Sequence, residues 1–148
     1  MSPCCYARRL PDIQGASLTD DIPDSSTLGA ALWRAGLLGN LHDAAVAIGL
    51  CIEGWEPQTF FASHMARRKA MQCLRTVVAS AIDLPADVKN SMPRIDWEAI
   101  EALKPHLRIR REDDREQVWE ALQSQVPAML RELIRYRRQL PQLFAFDA

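Results

Sequence analysis

Positive charge and one histidine crowd into eight consecutive positions in the second half of the 148-residue chain. Cations at this density attract phosphate groups, and a histidine beside them can exchange a proton near neutral pH. An acidic run from Glu112 to Asp114 follows directly, and negative charges of this kind stabilise a helix N-terminus, so the next helix is expected to begin there. We therefore predict an exposed RNA-binding elbow, defined as residues 104–111, with the contact residues Lys104, His106, Arg108, Arg110 and Arg111.

The acidic run leaves a second interpretation of the elbow open. If Glu112, Asp113 and Asp114 fold back onto the arginines, the ion pairs are exposed and weak, and RNA gains little from the elbow. The elbow would then be a solvated surface. Arg67, Arg68 and Lys69 are likewise interpreted as a solvated helix face, with RNA contact as the alternative.

Catalytic chemistry has little support in these residues. RNA cleavage without a metal needs a group that moves a proton and a cation that steadies the phosphate charge. Lys104 and His106 are the only candidates, and we expect neither to be catalytic. His42, His64 and His106 lack a second ligand at i+3 or i+4, and phosphate-loop and dinucleotide motifs are absent, so we predict neither a metal site nor a cofactor.

The elements that position the elbow follow a helical period. Asp96 is a suitable N-cap for a short helix that Pro105 ends. Longer helices are predicted from residue 26 or 27 to 52, from 64 to 83 and from about 114 onward, with Pro127 expected to kink or split the last one. Their apolar stripes include Ile82 and Ile134. Alternating β-patterns are absent.

The predicted fold class is therefore all-α, an antiparallel four- to five-helix bundle. Residues 1–26 are rich in proline and polar residues and are interpreted as a flexible N-terminal arm that carries Cys4 and Cys5. The bundle occupies residues 27–140, and residues 141–148 are expected to fray as a C-terminal tail. Gly36, Gly39 and Gly49 indicate that another helix, of this chain or of a second copy, packs closely on the first.

Composition bounds the class of protein. The hydrophobic fraction of 48% suffices for one core, and the formal net charge of -1 means that any affinity for RNA must come from a local patch. From length and apolar content we expect no run to match a membrane span or a signal peptide, and the four cysteines form no CxxC pair. We expect a reduced, cytoplasmic protein that does not contact a membrane.

Five sequence blocks occur in a characteristic order and spacing: LHDAAVAIGLCIEG (41–54), FFA (60–62), DLPADV (83–88), PRIDWEAI (93–100) and DREQVWEALQSQVPAML (114–130). They resemble the HepT-like family, once called domain of unknown function 86, in the HEPN superfamily of helical ribonucleases. The resemblance covers about residues 28–135, and it implies a small helical bundle that forms homodimers, with a ribonuclease site between protomers. It also implies a nucleotidyltransferase antitoxin as a partner.

The family's ribonuclease signature is not retained. Its Arg, Asn, His and Tyr fall on Lys104, Pro105, Ile109 and Arg111, and the polar pair of the preceding helix falls on Cys73 and Ala79. We therefore expect a toxin–antitoxin-type protein with a degenerate site, acting as a non-catalytic RNA- or partner-binding module.

Two alternatives to this module stay open. One is an active, metal-independent ribonuclease toxin in which His106 replaces the missing histidine. The other is a structural partner subunit of a nucleotidyltransferase.

Overall fold

The computed structural model describes residues 25–144, and within that range the chain is all-α, without a strand. The predicted all-α class is thereby confirmed for the described residues, and the antiparallel four- to five-helix bundle stays a prediction. The elements in chain order are α1 (Ser25–Ile52), α2 (Pro57–Ala62), α3 (His64–Asp83), α4 (Ala86–Asn90), α5 (Trp97–Glu101), a 3-10 turn (Lys104–Leu107), α6 (Glu112–Glu120), a π-helical turn (Ala121–Gln125), α7 (Val126–Gln139) and α8 (Pro141–Phe144).

The core lies between α1 and α3, which pack along each other, with α7 against α1 on another side. Their inward faces carry the predicted apolar period, so one continuous cluster of buried side chains joins all the long helices. Two residues assigned to the stripes are instead largely solvent-exposed: Ile82 at 38% and Ile134 at 40%. Each lies at the margin of its stripe, where no described element covers it.

Local signals fix the helix ends. Asp96 accepts a hydrogen bond from the Ala99 N–H at 3.1 Å, as predicted for an N-cap, and Ser63 does the same for Ala66 at 3.3 Å. Gly54 ends α1 with a φ of 78°, a left-handed conformation that glycine adopts without a Cβ clash. The chain can therefore turn sharply from α1 into α2.

The last long helix is interrupted before Pro127. Because proline has no N–H, the normal i→i−4 ladder cannot continue through it. The π-helical turn Ala121–Gln125 accommodates the interrupted hydrogen-bond ladder. At its end the Val126 N–H donates to the Ala121 carbonyl, which lies five residues back instead of the four of an α-helix. The expected disturbance near Pro127 takes the form of a π turn, and the helix continues through it to Gln139 without splitting in two.

Residues beyond Leu140 do not all fray, as was expected of a tail. Pro141–Phe144 form α8, and the Arg34 guanidinium holds it by donating to the Leu143 and Gln142 carbonyls, each at 3.1 Å. Leu143 and Phe144 pack half-buried against the core. The predicted arm and residues 145–148 lie outside the described residues, apart from the two arm residues that begin α1.

The outward face of α1 is uncovered, and its exposed residues are mostly apolar or glycine, with the charged Asp43 among them. A Cβ added at Gly36, Gly39 or Gly49 would meet nothing within 4 Å, so the close helix contact predicted for these glycines is not made within the described chain. Residues 26–52 are long and apolar enough, by length and composition, to cross a membrane. The statement that no run matches a membrane span is therefore wrong for α1. Core helices of soluble proteins and signal sequences meet the same criterion, so the prediction of a cytoplasmic protein stays a prediction.

Candidate functional site

The elbow is an anchored surface segment between α5 and α6. The short helix ends at Glu101, earlier than at Pro105 as the sequence predicted, and Pro105 instead lies inside the 3-10 turn, where its missing N–H costs no helical bond. After this turn, Arg108 and Arg111 adopt extended backbone. Leu107 and Ile109 pack half-buried against the core. Alternation in this extended stretch therefore points the intervening arginines into solvent.

Asp114 ties the elbow to the first turn of α6. Its Oδ1 accepts from the His106 Nδ1 at 2.8 Å, and its Oδ2 accepts from the backbone N–H groups of Arg110 at 2.9 Å and Arg111 at 3.0 Å. The hydrogen bond from His106 and then the two backbone bonds lower the pKa of the Asp114 carboxyl to about 2. The carboxylate is ionised at neutral pH and can only accept.

This contact fixes the tautomer of His106. Since the carboxylate accepts, Nδ1 must carry a hydrogen, which leaves Nε2 as the acceptor of a neutral imidazole. A histidine oriented in this way by a carboxylate is the arrangement that serves as a general base in many enzymes. The sequence missed this pair, because eight residues separate its members and no regular helix joins them.

The acidic run forms no ion pair with the elbow arginines among the described residues. Asp114 contacts His106 and the backbone, and Glu112 lies 3.7 Å from Arg115 instead. In the described chain, the guanidinium groups of Arg108, Arg110 and Arg111 have no hydrogen bond or ion pair. With His106, Asp113 and Asp114, they line a surface pocket of about 420 Å³ that we call the elbow pocket, so two carboxylates lie close to the three arginines.

Lys104 does not line the elbow pocket, although the sequence grouped it with the other four candidates. It stands exposed at the start of the 3-10 turn. Two other positions aligned with the family signature, Ile109 and Cys73, have no polar role. Ile109 packs against the core, and burial, followed by the neighbouring Cys51, raises the pKa of the Cys73 thiol, which keeps it neutral.

A group of ligand-type atoms does exist, contrary to the separation that the sequence suggested. His106, Asp113 and Asp114 each offer an atom, and these atoms lie within 4.8 Å of one another. Both oxygens of Asp114 already accept hydrogen bonds, and three arginines line the same pocket. This surrounding charge favours an anion over a metal cation.

A second basic site, which we call the arginine cleft, joins α3 to the elbow. It has a volume of about 370 Å³, and no acidic side chain is among the described residues that line it. Three of its arginines have no hydrogen bond or ion pair in the described chain: Arg68, Arg75 and Arg108. The basic lining residues are His64, Arg67, Arg68, Arg75, Arg108 and Arg115.

Sequence reasoning found only part of this cleft. Arg67 and Arg68 were interpreted as a solvated face, and Arg75 and Arg115 were not singled out. The available signal was the spacing of His64, Arg68 and Arg75, which places all three on one face of α3. The charges of Arg108 and Arg115 join them only through the tertiary fold.

An aromatic pocket lies on the other side of Arg115, between α2 and α6. It measures about 530 Å³ and is lined by Phe61, Trp119, Glu112, Glu116 and Arg115, among others. Phe60 and Phe61 attach α2 to the core, and both pack against Trp119, at 5.3 Å and 6.3 Å between ring centroids. The Arg115 guanidinium lies 5.9 Å from the Phe61 ring centroid.

Comparison of the chain with protein-family models, characterised proteins and solved structures gave no match. The HepT-like resemblance therefore stays a prediction.

The Asp114 contacts predict how stability depends on pH. Because the folded pKa of about 2 lies below the ordinary 3.8, ionised Asp114 stabilises the fold above pH 3.8, and this contribution is lost as the pH falls towards 2. We expect the wild type to exceed Asp114→Asn in urea midpoint at pH 6, and the gap to close between pH 4 and pH 2. A gap that is constant over this range would contradict the assigned role.

Proposed function

We propose that this protein binds single-stranded RNA through the basic surface formed by the arginine cleft and the elbow pocket. The observation that carries the proposal is the cleft itself: five arginines and a histidine line it, and no described acidic residue does. Arginines in such numbers repel one another, so an anion that enters relieves this repulsion as well as gaining its own contacts. RNA phosphates supply anions in a row, which suits two adjoining basic sites that share Arg108.

The net charge of the chain makes this local arrangement decisive. At a formal charge of -1, the whole molecule offers no long-range attraction to nucleic acid. Affinity must then come from the counterions that leave the RNA when a few arginines contact its phosphates. The affinity should therefore fall steeply as the salt concentration rises.

The HepT-like resemblance adds a proposed assembly to this module. The outward face of α1 exposes Leu32 (51%), Val46 (40%) and Leu50 (71%), with Gly36, Gly39 and the charged Asp43 between them. A second copy packed on this face would bury the apolar surface and let the two backbones approach closely.

Light scattering at micromolar concentration should give the mass of a dimer, and a monomer mass would count against the assembly.

A metal-independent ribonuclease is a second candidate, favoured by the His106–Asp114 pair. The free Nε2 of a neutral His106 could accept the proton of a 2′-hydroxyl, and the elbow arginines could steady the phosphate. A purely structural partner of a nucleotidyltransferase has no comparable support, because it gives the unpaired arginines no role. The binding module is retained as the main proposal because it needs only the charge arrangement.

The RNA-binding proposal predicts a change in salt dependence. Replacing Arg68, Arg75 and Arg108 together by Ala should reduce the slope of log K against log salt by about 2 in size, at roughly 0.7 per phosphate contact with a single strand. The measurement is a titration of a fluorescent 12-nucleotide RNA at several salt concentrations.

Three arginines of α7 provide a charge-matched control for this experiment. Arg131, Arg137 and Arg138 also lack partners among the described residues, but they do not line the arginine cleft. Their joint replacement by Ala should leave the slope as it is in the wild type. An equal effect of the two triple variants, or no RNA binding at low salt, would refute the proposal.

Cleavage assays separate the two candidate functions. We expect no cleavage of single-stranded RNA by the wild type in EDTA. Cleavage that is lost in His106→Ala, with the 10²- to 10⁴-fold effect usual for a general base, would establish the ribonuclease instead. His42→Ala is the matched control, since His42 also contacts a carboxylate, Asp43 at 3.1 Å, but lies away from the arginines.

A further inference from the structure

The aromatic pocket and the arginine cleft meet at Arg115, which lines both. Arg115 belongs to the first half of α6, and Trp119 stands one turn further along the same helix face. The two sites therefore offer phosphate-binding and ring-stacking groups side by side. A nucleotide has the same two parts, a phosphate and a flat base, joined by a sugar.

We propose that the aromatic pocket holds an unpaired base of the RNA strand whose phosphates lie in the arginine cleft. This inference rests on the proposed RNA binding and adds what the strand must present there. A base can stack on an aromatic ring only when it is free of its own helical stack, so the pocket selects single-stranded over duplex RNA.

The residues of the pocket fit a base better than a second phosphate. Glu112 and Glu116 line it, and their carboxylates would repel phosphate but can accept hydrogen bonds from base amino or imino groups. The Trp119 indole Nε1 has no acceptor among the described residues and is not buried, so it is free to donate to a base. A volume of about 530 Å³ is within the range of small-molecule sites.

The Arg115 side chain is placed to serve both parts of the nucleotide. Its guanidinium approaches the Phe61 ring, and its ion pair with Glu112 is long and largely exposed, with half of the Arg115 side chain open to solvent. An exposed pair of this kind holds its members weakly, so Arg115 can turn to a phosphate at little cost. Glu112 then remains in the aromatic pocket, beside the nucleotide base.

The test compares two probes of equal charge: a labelled 12-nucleotide oligoadenylate and an abasic ribose-phosphate 12-mer with the same label. For the wild type, we expect oligoadenylate to bind about tenfold more tightly, which corresponds to one stacked base. Trp119→Leu should bring the two affinities to within about twofold by weakening only oligoadenylate. Trp33→Leu, which changes a more exposed tryptophan on α1, should keep the tenfold ratio.

The outcomes separate this inference from the function on which it rests. If neither probe binds, both the RNA-binding proposal and the base pocket are wrong. If both probes bind equally to the wild type, or the ratio survives Trp119→Leu, RNA binding stands and the base pocket is refuted. The wild-type ratio is informative by itself should Trp119→Leu fail to fold.

Discussion

Asp114 accepts three hydrogen bonds from the segment that precedes its own helix, and the geometry of the basic surface depends on them. The carboxylate satisfies two backbone N–H groups of the elbow and orients His106. Without it, the extended residues between the 3-10 turn and α6 would have few contacts of their own. Because the acid is used in this way, it positions the arginines without pairing with their guanidinium groups, which are left free for an external anion.

The buried residues around the elbow complete this arrangement. Leu103, Leu107 and Ile109 attach it to the core, so Arg108 is held beside the arginines of α3. The side-chain entropy lost when a ligand binds is smaller for cations that are already brought together by the fold. A surface with an overall charge near zero can thus still present one concentrated site for phosphate.

Much of the fold could be predicted from the sequence, because its elements follow a strong local period. The helix boundaries near Asp96, Gly54 and Pro127 are set by the local chemistry of these residues, which acts in the same way whatever the rest of the fold is. The exposure of Ile82 and Ile134, at the margins of their apolar stripes, could not be predicted, because the burial of a marginal residue depends on whether another element covers it.

The candidate site was only half accessible to sequence reasoning. The basic run of the elbow is contiguous, and four of its five proposed residues do share one pocket. The arginine cleft unites α3, the elbow and α6, and the His106–Asp114 pair spans an irregular segment, so both require the tertiary structure. The elbow is evident from its charge density without the HepT-like resemblance, and the physical argument for anion binding rests on the arginines themselves.

The central claim, that RNA lies in the arginine cleft, is tested most directly by ultraviolet cross-linking of the wild-type protein to a 12-nucleotide single-stranded RNA. Mass spectrometry then identifies the cross-linked peptides. The structure predicts cross-links within residues 58–75 of α2 and α3 and within residues 105–119 of the elbow and α6. Cross-links confined to the arginines of α7, or distributed evenly over the surface, would contradict it.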